Sequence, residues 1–156
     1  MTIAMPHMHE LLTFTLGDED YGIDILKVRE IRGLDAITRL PAAPAFVRGV
    51  INLRGTIVPV VDMRAKLQMP DDTSPTTVMI VLDIGARLVG MVVDSVSDVI
   101  TVDAAHVRAV PELGPTIDRR FLIGLAPLEH RMLILLDIER LMTSAEMGLV
   151  DDAIAA

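Results

Sequence analysis

The sequence predicts a mainly β protein made from two copies of one small unit, and three observations carry that reading. Apolar runs of about five to seven residues, bounded by Gly, Pro or Asp, recur along the chain, which is the habit of small antiparallel barrels and sandwiches. Turn signals such as Leu16-Gly17-Asp18-Glu19-Asp20, Arg54-Gly55 and Ile84-Gly85-Ala86 stand between them, placed to close hairpins. Three blocks of sequence then repeat in the same order. Gly22-Ile23 followed by Val28-Arg29-Glu30-Ile31 aligns without gaps on Gly90-Met91 followed by Val96-Ser97-Asp98-Val99, and Phe46-Val47-Arg48-Gly49-Val50 matches Phe121-Leu122-Ile123-Gly124-Leu125. Downstream of each second glycine, Val60-Val61-Asp62-Met63 matches Leu135-Leu136-Asp137-Ile138.

Taken in order, the strand candidates are Leu11 to Leu16, Tyr21 to Leu26, Gly49 to Leu53, Thr56 to Val61, Thr77 to Leu82, Leu88 to Val93, Phe121 to Leu125 and Met132 to Leu136. A short helical piece follows Asp62 through Met63 to Leu67 and stops before Pro70. The clearest helix starts at Asp137, which can cap the first turn, and carries Ile138, Leu141, Met142 and Ala145 at helical spacing over about 138–150, with Gly148 weakening its end. The repeat divides a domain over 12–152 into unit one at about 12–69 and unit two at about 77–142, joined by the Asp-, Ser- and Thr-rich segment Pro70 to Pro75. Five strands in some sixty residues close most economically into a barrel, which removes exposed edges. Two such barrels packed together form a seam where a partner can bind.

Composition narrows the function. The 156 residues carry a net charge of -8, no Cys, no Trp, one Tyr and three Phe, while 51% are hydrophobic. Thiol chemistry is excluded, and the core must be aliphatic. An acidic chain poor in aromatics lacks both the basic footprint and the stacking platforms of a nucleic-acid binder. The first fifteen residues contain no Lys or Arg, so they do not read as a secretion signal. Charges such as Asp83 and Arg87 cut every apolar run short of the roughly 18 to 20 residues that span a bilayer. A cytoplasmic protein without membrane insertion is expected.

Catalytic motifs are missing. No nucleophile elbow, phosphate loop, dinucleotide fingerprint or zinc-protease helix occurs, and the four His residues (His7, His9, His106, His130) are scattered. His7 and His9 read as part of a solvated tail and not as a chelate, so neither a metal nor another cofactor is expected. Asp62 and Asp137 could serve acid-base chemistry, but each ends a strand and starts a helix, and duplicated capping explains both. Between Lys27 and Lys66, eight basic residues face only Glu30, Asp35 and Asp62. Arg54 stands out in that stretch because Asn52-Leu53-Arg54-Gly55 displays it at a hairpin tip. A basic face for nucleic acid and a hydrolase based on the two aspartates are the competing readings.

The runs Phe14 to Gly33, Pro44 to Arg64 and Val92 to Val99, above all Gly49-Val50-Ile51-Asn52-Leu53-Arg54-Gly55, resemble the CheW family of bacterial chemotaxis coupling proteins, and the similarity extends from about Leu11 to Leu149. The resemblance implies two SH3-like five-stranded β-barrel subdomains with a C-terminal helix. It also implies a non-catalytic adaptor, without cofactors, that links the cytoplasmic tips of transmembrane chemoreceptors to the regulatory domain of the histidine kinase CheA. The family's receptor-contact positions fall on Val28, Glu30 and Arg54, and their neighbours Ile31, Asn52 and Leu53 extend the set. Kinase contacts are placed at Leu40, Pro41, Gly55, Thr56 and Ile57. Further copies of the same chain in array rings complete the expected partners. A free-standing adaptor is expected in preference to the kinase's own regulatory domain, which shares the fold.

Overall fold

The computed structural model describes residues 8–34, 37–70, 76–85, 87–111 and 119–143. Ten strands run in chain order: β1 (Met8–Leu16), β2 (Glu19–Asp24), β3 (Val28–Arg32), β4 (Val47–Leu53), β5 (Thr56–Asp62), β6 (Val78–Asp83), β7 (Leu88–Val93), β8 (Ser95–Asp103), β9 (Leu122–Pro127) and β10 (Met132–Leu136). Helices α1 (Met63–Lys66) and α2 (Ile138–Met142) follow β5 and β10. His7, the joint at 71–75, Ala86 in the expected third turn, and the expected helix beyond residue 143 lie outside the described residues.

Both aspartates act as helix caps. Asp62 accepts hydrogen bonds from the amides of Arg64 and Ala65, and Asp137 accepts one from the amide of Arg140. His9 departs from expectation: it lies in β1 opposite Val102, with its side chain only 11% exposed beside Asp24, and is no part of a solvated tail.

The strands form two five-stranded sheets, ordered β8-β1-β2-β10-β9 and β3-β6-β7-β5-β4. These orders correct the division of the chain at 70–75. The hairpin β1–β2 sits in the sheet of β8, β9 and β10, and the equivalent hairpin β6–β7 sits in the sheet of β3, β4 and β5. Each half of the chain therefore lends its first two strands to the other half's sheet. The repeat itself survives down to register: Gly22 pairs with Leu135 in the parallel pair β2–β10, and Gly90 pairs with Val60 in β7–β5.

Chain connectivity explains the exchange. Within its sheet β3 is antiparallel to β6, which is antiparallel to β7, so the outer strand runs parallel to the far strand of the hairpin. Had β3 stayed with its own hairpin, it would lie against β1 and run parallel to β2, so the chain would have to cross over β1, and such a return needs roughly a dozen residues. Only the 3-10 turn Ile25–Lys27 joins β2 to β3, and only Asp94 joins β7 to β8. Both chains must step directly into the opposite sheet.

Strand alternation then builds three cores. Val58, Val60, Met79, Val81 and Val92 fill one sheet's interior, while Leu11, Val102, Leu133 and Leu135 fill the other's. The opposite faces supply Leu12, Phe14, Leu16, Val61, Ile80, Leu82, Met91 and Leu136 to a larger cluster between the sheets, completed by Met63, Ile138, Leu141 and Met142 from the helix starts and turns. Residues one apart on β1, β5 and β6 thus serve different cores, as a period of two requires. Phe14 stacks on Tyr21 with ring centroids 5.6 Å apart, and these two are half of the four aromatic residues present.

Crossing segments hold each sheet's end. Thr38 bridges to Val50 and Arg108 bridges to Leu125, each over a glycine that admits close backbone approach. At Gly49, with φ of 145°, an added Cβ would lie 2.0 Å from the Thr38 carbonyl oxygen, and at Gly124 it would lie 2.6 Å from that of Arg108.

Candidate protein-docking surface

β3 is an outer strand of its sheet, and among the described residues it pairs with β6. Its side chains alternate, Val28, Glu30 and Arg32 half-buried and Arg29 and Ile31 exposed. Val28 packs against the core between the sheets. On the opposite margin of the same sheet, β4 and β5 meet in a two-residue turn between the paired residues Leu53 and Thr56. Arg54 and Gly55 adopt φ of 50° and 90°, the left-handed geometry that matches the twist of a tight hairpin. Asn52 secures the turn by accepting a hydrogen bond from the Gly55 amide at 2.8 Å.

The sheet curls until its two margins touch. Arg54 Nη2 donates to Glu30 Oε1 at 2.9 Å, with Arg54 71% exposed and Glu30 29% exposed. Two positions far apart in sequence and in strand order thereby form one charged pair. Ile31 is exposed but lies on the other side of β3 from Glu30. Leu53 is a correction to the expected set: it is 4% exposed and belongs to the sheet's interior, because alternation along β4 turns it inward where Asn52 turns out. Of the expected kinase positions, Thr56 and Pro41 are exposed, Leu40 is half-buried, and Ile57 is 60% exposed. Gly55, Thr56 and Ile57 follow Arg54 directly, so the two expected contact sets meet at one turn.

The second sheet carries a counterpart that motif reading missed. Asp98, which aligns with Glu30 in the repeat, takes a hydrogen bond from Arg131 at 3.4 Å, and so joins β8 to the β9–β10 turn. Thr13 holds the same carboxylate through a short hydrogen bond. Together Thr13 and Arg131 keep the Asp98 carboxyl below the usual carboxylate range. The exposed Val99 and Met132 stand where the first sheet has Ile31 and Ile57. The alignment of Glu30 with Asp98 was the available signal.

Five of the eight basic residues between Lys27 and Lys66 are paired with carboxylates. Lys27 pairs with Glu139 at 2.8 Å, Arg29 with Asp83 at 3.0 Å, Arg48 with Asp62 at 3.1 Å and Arg54 with Glu30. Arg64 makes a two-pronged pair with Asp94 at 2.7 and 2.5 Å. Three of these carboxylates, Asp83, Asp94 and Glu139, come from outside the run, and the pairing reduces the positive footprint a phosphate backbone needs. Among the described residues, no three potential ligands gather where they could hold a metal ion. No helix among them is long and apolar enough to cross a membrane.

Two curled sheets around aliphatic cores, displaying charged pairs and apolar side chains at strand margins and turns, define a scaffold for protein partners. The CheW-like domain family model matches residues 10–146, and the chain belongs to the CheW family. It is similar to the chemotaxis protein CheW of Klebsiella aerogenes, at 54% identity over 92% of this chain and 87% of that one. It is also similar to the chemotaxis protein CheW of Rhizobium meliloti, at 40% identity over 94% and 97% respectively. The crystal structure of the scaffolding protein TtCheW from Thermoanaerobacter tengcongensis superimposes with a TM-score of 0.79, at 32% identity and covering 91% of this chain and 96% of that one. The protein is accordingly a non-enzymatic chemotaxis coupling scaffold.

Proposed function

We propose that this scaffold joins the cytoplasmic tips of transmembrane chemoreceptors to the regulatory domain of the histidine kinase CheA, in arrays gathered at the membrane. The observation that carries this reading is the Glu30–Arg54 pair, which brings two of the three family receptor-contact positions to a single exposed point beside Val28. A receptor tip is a helical hairpin, and a hairpin docks through a few apolar contacts ringed by charges that fix its orientation. Val28 supplies the first kind of contact, Glu30 and Arg54 the second. Asn52 borders this surface and Ile31 extends the contact to the other side of β3, while Thr56 and Ile57, continuing from the same turn with Leu40 and Pro41 on the neighbouring segment, receive the kinase. Copies of the same chain enter the array rings through like surfaces.

The test uses receptor-containing membranes with and without CheA. Arg54→Glu places a second carboxylate beside Glu30, and its expected effect is a loss of receptor co-sedimentation of about tenfold or more with kinase binding retained. The paired exchange Glu30→Arg with Arg54→Glu rebuilds the internal pair with reversed polarity, so the fold is kept and receptor binding is still lost. Wild-type co-sedimentation by Arg54→Glu would sink the assignment.

A further inference from the structure

We infer that Leu26 is an additional anchor for the receptor tip, extending the surface proposed above; the inference rests on that reading. Leu26 is 83% exposed, the most exposed of the large apolar side chains among the described residues. It occupies the 3-10 turn that carries the chain from one sheet to the other, two residues before Val28 and four before Glu30. A chain of that length spans at most about 14 Å, well inside the footprint of an ordinary protein interface.

The internal repeat supplies the control that a single exposed leucine lacks. With Gly22 on Gly90 and Val28 on Val96, Leu26 aligns on Asp94, the residue that makes the equivalent passage between sheets. Asp94 serves the fold there, accepting from Arg64 and from the Gly17 amide at 2.7 Å. The passage therefore requires no apolar side chain, and in the first repeat the tie to the helix is made by the next residue, Lys27, through Glu139. Leu26 is thus relieved of the structural duty its counterpart performs.

It is also held in place. Asp24 Oδ1 accepts from the Leu26 amide at 2.9 Å, and Lys27 fastens the following residue to α2. A backbone already pinned spares the cost of ordering a loop when a partner covers the side chain, and that raises affinity. Covering a leucine corresponds to tenfold or more in binding. The occupant is an apolar residue of the receptor hairpin, because Leu26 is continuous along the chain with Val28 and Glu30.

Leu26→Asp installs the residue of the other repeat, and Leu26→Met keeps an apolar side chain. Co-sedimentation with receptor-containing membranes is measured for both beside Arg54→Glu, with kinase binding and thermal midpoint recorded. The expected result is a loss of about tenfold or more for Leu26→Asp, near wild-type binding for Leu26→Met, and unchanged kinase binding and midpoint. Wild-type receptor binding by Leu26→Asp while Arg54→Glu fails would overturn the anchor and leave the wider surface standing. Wild-type binding by both would overturn the surface and the anchor with it. A lowered midpoint or lost kinase binding in Leu26→Asp would assign Leu26 to the fold and equally overturn the inference.

Discussion

At the residue scale, glycines and aspartates do work that the repeat duplicates. Gly49 combines a positive φ with a Cβ position 2.0 Å from a backbone oxygen, which cannot yield. Gly49→Ala is expected to cost about 3 kcal/mol or more in urea unfolding, or to abolish folding. At Gly90 the nearest atom is the Met79 sulfur at 2.5 Å, on a flexible side chain, and no positive φ adds strain. Gly90→Ala is expected to cost about 1 to 3 kcal/mol in the same measurement, always less than Gly49→Ala. The caps differ in the same graded way. Asp62→Ala leaves two amide donors without their acceptor and Arg48 without its partner, whereas Asp137→Ala leaves one amide donor without its acceptor. Each is expected to destabilise by about 1 kcal/mol, the first more than the second.

Among elements, the two passages between sheets set the mechanical asymmetry of the molecule. The one at Asp94 is stitched by the two-pronged Arg64 pair, by Gly17, by Thr76 Oγ1 donating to its carbonyl at 2.9 Å, and by its own amide donating to Thr15 at 3.1 Å. The one at Leu26 is fastened by Asp24 and by the single Lys27–Glu139 pair. Burial raises the Asp94 carboxyl, but the Arg64 guanidinium and the Gly17 amide outweigh it and leave the group below its ordinary value. A depressed folded value means stability that is present above the ordinary carboxylate range near pH 4 and lost as pH falls through the lower folded value. Arg64→Ala, which leaves only the Gly17 amide to oppose burial at Asp94, is therefore expected to lose stability above that range and to show a shallower fall in stability on acidification, read by urea unfolding at a series of pH values. An unchanged acid limb would show that the pair does not hold the passage.

For the molecule as a whole, exchange of hairpins makes the two sheets one cooperative body. The fragments 8–70 and 76–143 each hold five strands, yet neither contains a complete sheet. Separately they are expected to lack β circular dichroism, and mixed they are expected to recover it with a single thermal transition. Two independently folded fragments would contradict the topology. Much of this fold was legible beforehand: apolar runs marked most strands, and Asp62 and Asp137 marked both helix starts. Outer strands β3 and β8 came through only as repeat blocks, because Val28-Arg29-Glu30-Ile31-Arg32 alternates half-buried and exposed positions and three of the four residues Val96 to Val99 face solvent. Resemblance pointed to Val28, Glu30 and Arg54, but the inward turn of Leu53 and the pairing of Arg29 and Arg64 depended on strand parity and on carboxylates distant in sequence.

What the sequence determined by itself is local: strand period, tight turns, capping aspartates, close-approach glycines and a twofold repeat, all set by neighbouring residues. What only the tertiary structure decided is which hairpin joins which sheet, and with it the meeting of Glu30 and Arg54 across the margins of one curled sheet. The two hairpins carry apolar residues at equivalent positions of one face, Leu12, Phe14 and Ile23 against Ile80, Leu82 and Met91, so the hydrophobic pattern of that face does not choose between the sheets. The choice comes from connections of three residues and one residue, too short for a parallel return, which send each outer strand into the opposite sheet.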